Sequence, residues 1–213
     1  MKNVLILGAT GTAGSALTKK LLNDTDCHLT LFSRHAEDMY TNTERTTVVN
    51  GDAENIEELR NIISGHDVVY CAISGNELPL IAQNIVTTMS ECHIQRLIFM
   101  EAVGIYNEIP DEIDGDDNLD NEPAQIPNRK AVDVVESSDL NYTILRPGYL
   151  GAGDENDFVL TLKGESAKGY TTSIPALVKF ALKLILNNTL YENESVSITH
   201  DATKTIISIT HSH

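Results

Sequence analysis

The chain predicts an α/β fold, a doubly wound parallel sheet wrapped by crossover helices, with a small C-terminal extension. Two observations predict it. Short apolar, β-branched runs alternate with longer stretches patterned at helical spacing, as parallel sheets with covering helices require. The first run, Val4-Leu5-Ile6-Leu7, also passes through a glycine-rich turn straight into a helical stretch. In chain order, strands are expected at residues 3–7, 28–33, 46–50, 67–72, 96–100, 142–145 and 195–199, and helices at 12–23, 54–63, 78–92, 128–137 and 174–187. Leu177, Phe180, Ala181, Leu184 and Ile185 recur at helical spacing, so the last helix should simply cover the sheet. No internal repeat is visible.

The turn Gly8-Ala9-Thr10-Gly11-Thr12-Ala13-Gly14 carries chemical information. Gly8 suits the tight bend, Gly11 leaves room for a diphosphate against bare backbone, and Gly14 lets the helix pack closely on the strand. Unpaired N–H groups at the positive helix end then receive the anion. Strand, glycine turn and helix in this order predict a Rossmann-type dinucleotide site, contacted by Gly8, Thr10, Gly11, Thr12, Ala13 and Gly14. The reading is one NAD(P)-binding domain over residues 1–213, with residues 147–213 completing the sheet and the substrate side.

Composition excludes other classes. The 213 residues hold 31 Asp+Glu against 15 Lys+Arg, a formal charge of -16. That charge repels nucleic-acid phosphates and anionic membranes, so neither is an expected partner. No apolar stretch reaches the roughly 18 to 20 residues of a membrane span. Cys27, Cys71 and Cys92 lack metal-ligand spacing and are odd in number, which predicts reduced thiols in a soluble, cytoplasmic protein. A monomer and a homodimer are both left open by the sequence. Cys71 should be core. The stretch from Glu108 to Glu122 carries eight acids in fifteen residues and is expected to be a solvated, mobile loop. It lacks the ordered ligand spacing of an EF-hand, so no metal is expected.

Cofactor choice should be decided after the second strand. NAD-selective sites place an acid there for the ribose hydroxyls, whereas this chain reads Leu31-Phe32-Ser33-Arg34. Ser33 and Arg34 offer a hydroxyl and a guanidinium to a 2′-phosphate, which points to NADP, with NAD still possible. Gly51-Asp52 follows the third strand, where Asp52 can accept from the adenine amino group, cap the next helix, or do both. Ala72, Ile73 and Ser74 end the fourth strand beside the same crevice, small enough for close contact with ribose and diphosphate.

Together with Arg96-Leu97-Ile98-Phe99-Met100, Val103-Gly104-Ile105-Tyr106 and Asn141-Tyr142-Thr143-Ile144-Leu145-Arg146-Pro147-Gly148, these motifs resemble the atypical short-chain dehydrogenase/reductases of the NAD(P)H-binding, NmrA-like group, which includes flavin- and biliverdin-reductase-like proteins. The resemblance implies that Pro147, Gly148 and Tyr149 border the nicotinamide and that Lys130 is the lysine of the Tyr-x-x-x-Lys pair. The tyrosine position of that pair holds Ile126, and Met100-Glu101-Ala102 stands where conventional members have serine. Alcohol–ketone chemistry is then hard to stage, because the developing alkoxide lacks a tuned acid. Two routes remain. A flavin, quinone or similar flat acceptor can take its proton from water, or Glu101 or Tyr106 supplies it, Glu101 with a pKa raised by burial. The plainer expectation for Glu101 is a salt bridge to Lys130 or Arg146. The expected function is hydride transfer from NADP(H) to such an acceptor. A non-enzymatic NADP(H) sensor and a sugar-nucleotide epimerase-like enzyme are the alternatives, the latter weakened by the same absences. No role is expected of His211-Ser212-His213.

Overall fold

Val4 to Leu7 are buried because β1 (Asn3–Leu7) lies inside a sheet covered on both faces. The computed structural model describes residues 1–202; residues 203–213, including His211-Ser212-His213 and the end of the expected 147–213 extension, lie outside the described residues. Beyond β1 come α1 (Thr12–Asp24), β2 (His28–Ser33), β3 (Thr46–Asn50), α2 (Ile56–Ile63), β4 (Val68–Cys71), α3 (Leu78–Glu91), β5 (Arg96–Met100) and α4 (Gln125–Glu136). The C-terminal part adds β6 (Asn141–Pro147), β7 (Tyr149–Gly151), β8 (Val159–Leu162), β9 (Thr171–Ser173), α5 (Ile174–Leu186) and β10 (Glu194–Thr199).

The described sheet runs β3-β2-β1-β4-β5-β6-β10-β8, parallel except for the antiparallel β8. The order reverses between β1 and β4, and the crevice at that switch point is where doubly wound sheets bind ligands. One face packs α1 and α5 against Ile6, Leu31, Tyr70 and Val196, so α5 covers the sheet as expected. The other packs α2, α3 and α4 against Leu5, Val69, Phe99 and Ile144. Cys71 is core, as expected, and all three thiols are free.

Several boundaries differ from the sequence expectation. Helix α2 starts at Ile56 rather than Glu54, because Asn55 accepts from the Glu57 N–H and caps it. Helix α4 starts three residues early, at Gln125, with Pro127 in the first turn, where a missing N–H costs nothing. Strands β7, β8 and β9, of three or four residues, carry too short a pattern to be seen in sequence. Arg96, in an otherwise apolar strand, is buried: its two terminal nitrogens donate to Asn141, Thr143 and the carbonyls of Leu184 and Leu190, tying β5 to β6 and the end of α5, while its Nε has no partner among the described residues. The segment 108–122 is not the wholly solvated loop expected. Glu108, Ile109, Gly115 and Asn118 are buried, Asn118 bonds both ways with the Ile109 backbone, and Glu108 pairs with fully buried Arg146. Asp111, Glu112, Asp116 and Asp120 face water while these anchors hold the backbone down.

Candidate functional site

The glycine turn is built by tight packing. Gly8 has φ +82°, and a β-carbon there would stand 2.7 Å from the Ala72 carbonyl oxygen, so only glycine fits between β1 and β4. A β-carbon on Gly14 would stand 2.2 Å from the Gly8 oxygen, which is the close helix–strand approach expected of it. Gly11 differs. Its β-carbon would meet only ordinary contacts at 3.4 and 3.9 Å, and it faces open cavity. Gly11 is also the N-cap of α1, with no capping side chain and no acid in the first turn. The first N–H groups of α1 are thus left for an anion at the positive helix end. The Tyr40 hydroxyl donates to the Ala9 carbonyl at 3.0 Å and fixes the turn from outside.

A cavity of about 430 Å³ opens over this turn at the switch point. Of the residues expected to touch the cofactor, the fold brings Gly8, Thr10, Gly11, Ser33, Arg34, Gly51, Asp52, Ala72, Ile73 and Ser74 together around it. Thr12, Ala13 and Gly14 do not; they contribute through the helix start, Thr12 exposed and the other two buried. The Thr10 hydroxyl donates to Ser33 Oγ at 3.1 Å, while Arg34 is exposed with no ion pair among the described residues. Asp52 does not cap α2. It accepts from the Glu54 N–H at 3.0 Å, closing a turn before the helix, and still lines the cavity. Gly51 is small for another reason than cofactor approach, since a β-carbon there would strike the Phe32 ring at 2.4 Å. His35 and the run Gly75-Asn76-Glu77 also line the cavity. Their places just beyond strands β2 and β4 were the signal that could have included them.

A second cavity, about 340 Å³, lies beyond the ends of β5 and β6. Pro147, Gly148 and Tyr149 line it, as does Glu101. Gly148 is pressed against the Tyr170 carbonyl, and its N–H donates to the Thr172 hydroxyl at 2.8 Å. Tyr149, 60% exposed, and Tyr170 form an aromatic wall with ring centroids 4.9 Å apart. Burial, then Asp117 and Tyr149 beside it, push the Tyr170 phenol up. Asn128 donates to Gln125, whose own amide donates to the Val103 and Asp117 carbonyls. Tyr170, Gln125 and Asn128 were missed in sequence: Tyr170 immediately precedes the three-residue strand β9, Gln125 lies ahead of the expected helix start, and Asn128 is the first residue of that expected helix.

The expected acid–base residues separate sharply. Glu101 is 8% exposed, its Oε1 has no hydrogen-bond partner, and burial pushes its carboxyl well above the usual carboxylate range. The expected salt bridge to Lys130 or Arg146 is absent among the described residues, because Arg146 is taken by Glu108 and Ser195. Tyr106 lines neither cavity. Its hydroxyl donates to Glu136 at 2.6 Å, and Arg129, Arg146 and Lys163 surround its ring at 4.7 to 5.0 Å, so it is a packing centre. Burial, then Glu136, push its phenol up. Lys130 is exposed on α4 and Ile126 is 45% exposed; neither lines a cavity. Among the described residues no cluster of ligands could hold a metal ion, and no helix is long and apolar enough to cross a membrane.

A bare glycine turn under an uncapped helix end, opening at the switch point of a doubly wound sheet, defines a Rossmann fold fitted for a nicotinamide dinucleotide. The chain belongs to the NAD(P)H-binding family, whose profile matches residues 8–188. Its fold is that of the NAD(P)-binding reductases. A wide-type short-chain dehydrogenase/reductase from Veillonella parvula, solved with NADP, is 29% identical with a TM-score of 0.84, over 93% of this chain and 94% of that one. A Rossmann-fold NAD(P)-binding family protein from Shigella flexneri is 29% identical with a TM-score of 0.79, over 94% of each chain. The anaerobillin reductase ChuY from Escherichia coli O157:H7 shares the fold at 17% identity and a TM-score of 0.78, over 93% of this chain and 97% of that one. No curated protein matches.

Proposed function

We propose that the protein is an NADP(H)-dependent oxidoreductase that delivers hydride to a flat acceptor, a flavin, quinone or similar ring. The observation that carries this reading is the second cavity: a buried, unpartnered Glu101 carboxyl and an aromatic Tyr149–Tyr170 wall beside the dinucleotide cradle. When bound, the dinucleotide supplies hydride. The chain's own residues then bind, orient and protonate. Gly11 and the start of α1 hold the diphosphate, and Arg34 with Ser33 receives the 2′-phosphate. The NADP found in the Veillonella parvula protein supports that choice. Lys130, exposed on α4 outside both cavities, would have to extend its flexible stem to touch the ribose. Burial holds the Glu101 carboxyl well above the usual carboxylate range, so it would be the group that gives a proton to the acceptor. Aromatic walls suit a flat ring better than a sugar.

The test is NADPH oxidation with flavins and quinones, set beside NADP⁺ reduction with simple alcohols or sugars. Turnover confined to the flat acceptors is the expected result. Robust alcohol oxidation refutes the proposal, and tight NADPH binding with no turnover of any acceptor moves the protein to the sensor class.

A further inference from the structure

The charge of the acceptor is written in the same cavity, and this inference rests on the reading just given. Among the described residues, those with ionisable side chains that line it, apart from tyrosines, are Glu101, Asp117 and Glu122, and no described lysine or arginine lines it. Asp117 and Glu122 are half-buried at its rim, on the strongly acidic segment that Glu108 and Asn118 pin to the fold. Glu122 is held in place by the Ala124 N–H at 2.9 Å. Deeper, the Glu101 Oε1 stands buried without a partner. Such a group costs free energy unless a ligand completes its hydrogen bonding.

We infer that this cavity takes an uncharged planar ring whose carbonyl lies against the Glu101 carboxyl, and turns away otherwise identical rings that carry phosphate, sulfonate or carboxylate. A protonated carboxyl donates to a ring carbonyl, which both quinones and isoalloxazines present. An anionic substituent would instead meet the Asp117 and Glu122 carboxylates, and like charges brought together at a binding site raise its cost steeply.

The experiment compares matched pairs by equilibrium binding to the full chain saturated with NADP⁺, and by NADPH turnover: riboflavin against its 5′-phosphate, and 1,4-naphthoquinone against its 2-sulfonate. The uncharged member of each pair should bind at least about tenfold more tightly. The double variant Asp117→Asn with Glu122→Gln should erase most of that difference, as should raising salt to about 1 M. Glu101→Gln, which keeps shape but loses the acid, should weaken both members of each pair alike and leave the ratio between them unchanged. Equal or tighter binding of the anions, or no binding of any of the four rings, overturns the inference. A binding preference of the expected sign without any turnover leaves it standing and refutes the oxidoreductase reading alone. If only the flavin pair or only the quinone pair binds with that preference, the inference stands and the acceptor is that ring.

Discussion

Gly11→Val separates the binding role of the glycine turn from its structural one. At Gly11 the backbone is extended, φ -69° and ψ 167°, so valine adopts it without strain. Its β-carbon would find Gly8 O at 3.4 Å and Ala72 O at 3.9 Å, ordinary contacts. The cost to the fold is the poorer N-cap, about 1 kcal/mol, or roughly 2–4 °C in Tm for a chain of this size. The cost to binding is far larger. The γ-methyls fill the space over the end of α1, and a displaced diphosphate losing two charge-assisted hydrogen bonds of about 1.5–3 kcal/mol each falls more than about 100-fold in affinity. Gly14→Ala makes the contrast, because its β-carbon would stand 2.2 Å from Gly8 O and 3.0 Å from Ala9 Cα. Helix and turn must part there, and stability drops by about 1–3 kcal/mol or more. Fluorescence titration with NADPH and thermal denaturation of both variants read the two effects. If Gly11→Val titrates like the parent protein, the diphosphate does not lie on this turn and the reasoning fails.

Arg34→Ala should weaken NADPH by about tenfold, the low end for a charge-assisted contact because Arg34 is exposed, while NADH affinity holds; equal Kd values for the two cofactors in the parent protein would refute NADP selection. Glu101→Gln has a stability signature as well as a kinetic one. Burial raises the folded pKa of Glu101 above its unfolded value, so its favourable contribution is complete below about pH 4.3 and is lost as pH rises toward the folded pKa. The variant should therefore gain on the parent in stability as pH rises from about 4.3 toward the folded pKa, by up to about 1.4 kcal/mol per pH unit, and its turnover should fall and lose pH dependence. A constant Tm difference across that range would mean that Glu101 is ionised in the fold. Lys130→Ala should raise the Kd for NADPH a few-fold without abolishing turnover; complete loss of turnover at saturating NADPH would make Lys130 part of the proton path instead.

The parallel sheet, its principal helices and the dinucleotide turn were legible in the sequence because each is a local pattern. An apolar run buried on both faces has no alternation, a helix repeats near every third or fourth residue, and a turn that must admit a diphosphate has to be glycine at Gly11 whatever surrounds it. The short strands β7 to β9 were not legible, since three or four residues carry no period and their pairing is decided by what they meet. The same limit applied to single side chains. Glu101 and Tyr106 lie five residues apart and were equal candidates in sequence, yet one is buried beside a cavity without a partner and the other is packed among three cations. What divided them was Arg146, whose fully buried guanidinium pairs with Glu108 rather than Glu101 and so leaves the Glu101 carboxyl alone. The sequence by itself determined the fold class and the cofactor turn, which depend on residue type and spacing. Only the tertiary structure decided which carboxyl is left unpaired, because a buried charge chooses its partner from strands and loops far apart in the chain.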